Sequence, residues 1–207
     1  AYSIANFLTL RCLEQIRNDA IYHNLNINLV SSGGGYTYGV LGMSHHATED
    51  LSVLNCIPGI TIVAPCTKWE TKEALKTLLK INGTTYLRLE KNASDLKPLN
   101  KKYVLGNLNN YFKGSKIAII CVGGIFSECV NAVKLLKKNK LNISLYTMSS
   151  IKPINEKLMI KTLKKYSLIV TVEENNFLGG LGSTISTIIN KYSIDCIHKI
   201  VSTNDKT

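Results

Sequence analysis

The chain lacks the spacings by which metal and redox sites usually show themselves. Its six cysteines are Cys12, Cys56, Cys66, Cys121, Cys129 and Cys196, and no two form a C-x-x-C pair. Zinc ligation needs such paired ligands, so no metal ligand is assigned. The cysteines fall on or beside apolar runs and read as buried free thiols in a reducing compartment, so a cytoplasmic location is expected. No apolar run reaches the roughly 18 residues of a membrane span, and no membrane partner is expected. The opening AYSIANFLTL has neither a basic n-region nor an A-x-A site, so no secretory signal is expected. Acidic residues are scarce, 14 against 25 lysines and arginines, for a net charge of +11. Nucleic-acid binding would suit that excess. The lysines are scattered among asparagine and isoleucine, however, and no basic run alternates with aromatics. A surface that attracts phosphorylated metabolites or an acidic partner is the better reading.

What is present is a hydrophobic fraction of 45%, enough for a real core, and an alternation of short apolar runs with amphipathic ones. Apolar spacing predicts a helix from about Phe7 to Tyr22. Strands are expected over 26–30, 60–65 and 84–90, with a short helix over 46–57 ended by Pro58-Gly59 and an amphipathic one over 69–81. The polar, asparagine-rich stretch 91–116 reads as a connection between domains. The pattern then restarts, with strands over 117–123, 143–148, 167–174 and 196–201 and helices over 127–139, 155–166 and 182–192. Alternation of this kind means parallel α/β architecture, with two three-layer α/β/α domains. The first half opens on a helix and supplies only about three strands. That domain is therefore expected to be incomplete, or to complete its sheet on another chain.

Two of only four histidines are adjacent in GMSHHATED, residues 42–50. Consecutive helical residues point about 100° apart, so His45 and His46 do not share one metal readily. A helix start there would favour neutral imidazole, suited to proton transfer or to bonding a substrate oxygen. A plain hydrogen-bonded helix-start histidine is equally compatible. The upstream SSGGGYTYG has the spacing G-G-G-x-x-x-G, which matches no nucleotide loop, and a backbone forced to turn tightly explains it as well. In VEENNFLGGLGST, the amides at a helix start could bind an anion, or the glycines simply make a tight turn. Arg88 and Lys91, in TTYLRLEKN, stand at a strand end where ligands meet α/β sheets; a solvated strand end is the plain alternative.

The order of motifs carries a resemblance. FLTLRCLEQIRND, GGGYTYGVLGMSHHATEDLSVLNCIPGITIVAPCTKWETKEAL and TTYLRLEKN are followed by IAIICVGG, SSIKPINEKL and VTVEENNFLGGLGS. The chain resembles the C-terminal half of transketolase-type thiamine-diphosphate enzymes, most of all the separate C-terminal subunit of split transketolases. Deoxyxylulose-phosphate synthases and the beta subunits of 2-oxoacid dehydrogenases look like more distant relatives. The resemblance implies that residues 1–92 are the C-terminal part of a pyrimidine-binding domain, 93–115 a linker, and 116–207 a transketolase C-terminal domain. It implies thiamine diphosphate and Mg²⁺ shared with, or held by, an N-terminal subunit carrying the diphosphate-binding domain, whose G-D-G motif this sequence lacks. A hetero-oligomer acting on a phosphorylated sugar is expected, transferring a two-carbon ketol unit from a ketose to an aldose, with this chain inactive alone. Alternatives are a synthase-like or dehydrogenase-like subunit using a 2-oxoacid, or a non-catalytic assembly partner.

The same resemblance assigns residues. Phe7 matches the aromatic that packs on the cofactor pyrimidine, and His45 the histidine facing the substrate oxygen. Arg11 resembles an arginine near the substrate phosphate, and His46 stands at the substrate rim. Lys91 falls where relatives carry a phosphate-binding arginine, but as a point charge it loses bidentate recognition. The activating glutamate of such enzymes lies in a motif upstream of FLTLR and is assigned to no residue here. Transketolases also carry an aspartate at the position of Leu41 and a histidine at that of Gly33, and both departures bear on the donor sugar.

Overall fold

The computed structural model describes residues 1–204, which build two five-stranded sheets flanked by helices. The first sheet contains β1 (Tyr2–Ile4), β2 (Asn28–Ser32), β3 (Thr61–Val63) and β4 (Thr85–Leu89). The second contains β5 (Asn109–Phe112), β6 (Ile117–Cys121) and β7 (Ile143–Thr147). β8 (Ser150–Lys152) returns to the first sheet, whose order is β1-β2-β4-β3-β8. The second is completed by β9 (Leu168–Asn176) and β10 (Ile197–Thr203), in the order β10-β9-β6-β7-β5. Each sheet is parallel except for one antiparallel edge strand, β8 on β3 and β5 on β7.

Three expectations are corrected. The chain does not open on a helix: β1 precedes it and pairs in parallel with β2, Tyr2 opposite Val30. Three residues are too few to show alternation. The first half supplies four strands, and the edge beyond β3 is closed by β8 from the second half of the same chain. The polar stretch 91–116 conceals a strand, because β5 spells NNYF and buries only Asn109 and Tyr111.

The helix expected over residues 7–22 is broken. It forms as α1 (Ala5–Thr9), α2 (Leu13–Gln15) and a π-helical turn, Ile16–Ile21. Thr9 turns its hydroxyl back onto the carbonyl of Ala5 at 2.7 Å, and Cys12 leaves helical geometry at φ −107°, ψ 18°. Such back-bonding bends a helix, and here the chain leaves it soon afterwards. The remaining helices are α3 (Asp50–Asn55), α4 (Lys68–Leu78), α5 (Phe126–Lys138), α6 (Glu156–Leu163) and α7 (Leu181–Lys191). No helix among the described residues is long and apolar enough to cross a membrane.

The two sheets share one core. Leu51, Leu54, Ile62 and Tyr86 of the first half pack in the same buried cluster as Ile120, Met148, Ile169 and Ile185 of the second. A polar joint reinforces it. Thr67 caps α4 by accepting from the amide of Glu70 at 3.2 Å, and the Glu70 carboxyl accepts from the Cys66 amide at 2.8 Å. This is a capping-box arrangement displaced by one residue. The carboxyl, wholly buried, also accepts from Asn109 and Tyr111, each at 2.9 Å, and from Thr147. Burial pushes the Glu70 pKa up while these donors pull it back. One carboxyl thus ties a helix of the first half to two strands of the second.

Candidate active site

The site is built by the loop that leaves β2. Gly33 (φ +83°) and Gly35 (φ +55°) hold left-handed geometry that other residues resist, and the loop is tightly enclosed. A Cβ on Gly33 would lie 2.2 Å from the Tyr38 ring, and one on Gly35 would lie 2.5 Å from Glu174. The glycines therefore serve close backbone approach, as the plain reading of SSGGGYTYG has it. Gly35 and Ala47 close the loop by exchanging backbone bonds of 2.9 and 3.0 Å.

His45 and His46 sit in the turn before that closure. α3 starts only at Asp50, so a helix-start field at the histidines is corrected. The amides of both bond the carbonyl of Gly42, at 3.0 and 3.3 Å. The two side chains then separate. His46 Nε2 is 3.1 Å from the Gly39 carbonyl, which can only accept, so that nitrogen carries the proton. The His46 ring meets Tyr36 edge-on at 5.0 Å. His45 Nδ1 is 2.9 Å from the Ser44 hydroxyl, and its Nε2 has no hydrogen-bond partner among the described residues.

α1 brings the other half. Asn6, which no sequence motif singles out, donates to the Ser44 carbonyl at 2.5 Å. That bond holds the half-buried Phe7 ring against His45, centroids 5.0 Å apart, while the Arg11 guanidinium lies 4.3 Å over the same ring. Arg11 follows Phe7 by four residues, the spacing at which side chains of a helical turn are neighbours. Phe7, Arg11 and His45 therefore meet at one lip. Lys91 does not join them. With Asn92, Glu90, Glu174, Tyr36 and Thr37 it borders a cavity of about 360 Å³, linked to the lip through the Tyr36–His46 contact.

Beneath the loop lies a buried polar chain. Ser31 donates to Tyr86 at 2.8 Å, Tyr86 to Asp50 at 2.6 Å, and Arg88 to Asp50 at 3.0 Å. Arg88 also stands 3.2 Å from Glu90, and all three charged side chains are at most 2% exposed. Burial opposes the Arg88 charge, but Asp50 and Glu90 outweigh it and hold the guanidinium above its usual range. Arg88 is therefore committed inside, and Lys91 is the cation of that strand end that reaches the cavity. Burial raises Glu90 and Glu174 above the ordinary carboxylate range, and the charge of Glu90 raises Glu174 further. The start of α7 is closed to an outside anion: Glu173 accepts the amides of Leu181 and Gly182, both at 2.8 Å. The clue was the carboxylate pair in VEENN ahead of the glycines.

Known proteins share this pairing of domains. Residues 2–95 match the transketolase pyrimidine binding domain, and residues 106–203 the transketolase C-terminal domain. One subunit of the apulose-4-phosphate transketolase of Phocaeicola vulgatus is 32% identical over 183 residues, covering 87% of this chain and 59% of that protein. A putative transketolase C-terminal section of Methanocaldococcus jannaschii is 31% identical over 192 residues, 91% of this chain and 60% of its own length. A solved split gene transketolase, described as an inactive beta4 tetramer, superposes with a TM-score of 0.85 at 25% identity, covering 99% of this chain and 66% of that one. The chain thus spans about three fifths of the length of these two curated relatives. Joining a pyrimidine-binding domain to a transketolase C-terminal domain, the chain belongs to the transketolase family.

Proposed function

We propose that the chain is a subunit of a thiamine-diphosphate-dependent transketolase that moves a two-carbon ketol unit from a ketose to an aldose. A second chain, carrying the diphosphate-binding domain, would complete it as a hetero-oligomer. The observation that carries this reading is the meeting of Phe7, Arg11 and His45 at one lip, 5.0 and 4.3 Å apart by ring and guanidinium.

The residues fit the aromatic end of the cofactor. Phe7 keeps part of its ring open, which suits packing on a flat heteroaromatic ring. They do not offer a diphosphate cradle, since Tyr38, Arg88 and Glu174 fill the space around the glycine loop. Nor does any cluster of three His, Cys, Asp or Glu among the described residues suit a metal. Diphosphate and Mg²⁺ are assigned to the partner chain with the diphosphate-binding domain, as the resemblance implies. When bound, thiamine diphosphate supplies the carbanion chemistry. His45, with Nε2 open, hydrogen-bonds the donor oxygen and moves its proton. Arg11 meets a substrate phosphate, while His46 and Lys91 flank the substrate entrance.

Reconstitution tests the reading. The chain is combined with a partner carrying the diphosphate domain, thiamine diphosphate and Mg²⁺, and ketol transfer from ketose donors is measured. Transfer that falls when His45 is replaced by alanine supports the proposal. Release of CO₂ from pyruvate would move the chain to a synthase or dehydrogenase role. A complex that binds cofactor yet turns over neither ketose nor 2-oxoacid would leave an assembly partner.

A further inference from the structure

The cavity beside Tyr36 holds more acid than a phosphate site tolerates. Its walls carry the cation Lys91 and two carboxyls, Glu90 and Glu174. The carboxyls converge: a Cβ placed on Gly124 would lie 3.2 Å from Oε2 of Glu90 and 3.4 Å from Oε2 of Glu174. Arg88 cannot neutralise both, because it is already bound to Asp50 at 3.0 Å. The Glu90 side chain is 2% exposed, and its Oε1, though 3.2 Å from Arg88 Nε, makes no well-directed hydrogen bond. Asp50, Glu90 and Glu174 thus face only Arg88 and Lys91, so the recess carries no net positive charge even with one carboxyl protonated. A phosphate ester brought here would add like charge in a poorly hydrated recess, where repulsion is strong.

The same groups suit a neutral polyol. Burial favours the protonated form of both carboxyls; Arg88 pulls Glu90 back toward the carboxylate, whereas the charge of Glu90 further favours a proton on Glu174. Such a pair both donates and accepts, as sugar hydroxyls require, and Lys91 and Asn92 add donors. Resting on the ketol-transfer reading above, we infer that this cavity is a hydroxyl-reading subsite. It takes the unphosphorylated end of a sugar, with Glu90 and Glu174 as the specificity-determining residues. Lys91 then serves as a hydroxyl donor rather than a phosphate clamp. Any phosphate on the sugar is left to Arg11, which has no carboxylate partner among the described residues.

The test uses the reconstituted complex with D-erythrose and D-erythrose 4-phosphate as acceptors. The wild type is expected to favour the unphosphorylated aldose in kcat/KM by about tenfold or more. Glu174→Ala, or Glu174→Gln should the alanine variant fail to fold, raises its KM by about tenfold, the worth of one or two lost hydrogen bonds. Lys91→Ala leaves the ratio between the acceptors within about threefold, since the charge is not reading a phosphate. A preference for the phosphate ester that Lys91→Ala abolishes overturns the subsite and leaves ketol transfer standing. Failure of transfer to both acceptors removes the transfer reading instead. The subsite is then judged by amide NMR shifts at Thr37 and Asn92 in the same complex. Shifts on adding erythritol support it; shifts with inorganic phosphate, or with neither probe, overturn it.

Discussion

Asn6 donates through Nδ2 to the backbone carbonyl of Ser44 at 2.5 Å, across 38 residues of sequence. The bond joins the helix that carries Phe7 to the turn that carries His45. Because the bond is exposed, Asn6→Ala should cost only about 0.5–1.5 kcal/mol of stability. Its effect on turnover should be larger. A misplacement of about 1 Å can cost about a hundredfold, so a fall of tenfold or more in kcat/KM is expected from the reconstituted complex. Melting curves and kinetics on one preparation separate the effects. A variant that loses only stability would remove Asn6 from any positioning role.

Phe7 is touched from two directions, by the His45 edge and by the Arg11 guanidinium. Phe7→Ala removes both contacts and the ring offered to a heteroaromatic partner. Thiamine diphosphate should then bind about tenfold more weakly in the complex, consistent with the 0.5–1.5 kcal/mol of an aromatic pair plus lost buried area. Titration calorimetry with Phe7→Tyr as the aromatic-preserving control checks this. Equal affinities for the alanine and tyrosine variants would count against cofactor packing at this ring.

Asp50 and Arg88 form an ion pair at 3.0 Å, with side chains 1% and 2% exposed. Breaking such a pair leaves a buried charge and typically costs about 3–5 kcal/mol. Asp50→Asn should approach the lower end, because Glu90 still stands beside Arg88. Denaturant midpoints at constant slope measure the loss. The double variant Asp50→Asn/Arg88→Met should regain part of it, since no unpaired guanidinium is then left behind. A double variant less stable than Asp50→Asn would show that Arg88 contributes mainly through packing.

Much of this was legible in the sequence, for reasons that mark the limits. The apolar runs of β4, β6 and β7 and the amphipathic α4 and α5 carry strong periodicity, and each forms within about three residues of expectation. Short edge strands do not. β1 has three residues, β8 is too short to stand out, and β5 is disguised by asparagines, one of which, Asn109, is buried on the Glu70 carboxyl. The break after Thr9 depends on a side chain folding back onto its own backbone, which apolar spacing does not register. At the site, Phe7, Arg11 and His45 are each assigned through the resemblance, and their meeting at one lip is visible only in the structure. So are the burial of Arg88, the closure of the α7 start by Glu173 and the Glu90–Glu174 convergence. Each depends on which neighbour a charge meets across strands far apart in sequence.

The Glu174 carboxyl supplies a pH test of that convergence. Burial raises its pKa above the ordinary 4.5, and the nearby Glu90 raises it further. A carboxyl whose folded pKa is raised holds its proton more tightly in the native state than in the unfolded one. Its contribution to stability is therefore fully present below 4.5 and is lost as pH rises through the folded value. Glu174→Gln resembles the protonated acid and carries no charge at any pH. Relative to wild type, the variant should gain stability as pH rises from about 4.5 toward 8. Unfolding curves at several pH values, with Glu128→Gln on the exposed face of α5 as control, measure the difference. A wild-type-to-variant gap that stays constant across this range would mean that Glu174 is solvated as freely as Glu128, and that the two carboxyls do not share the recess at Gly124.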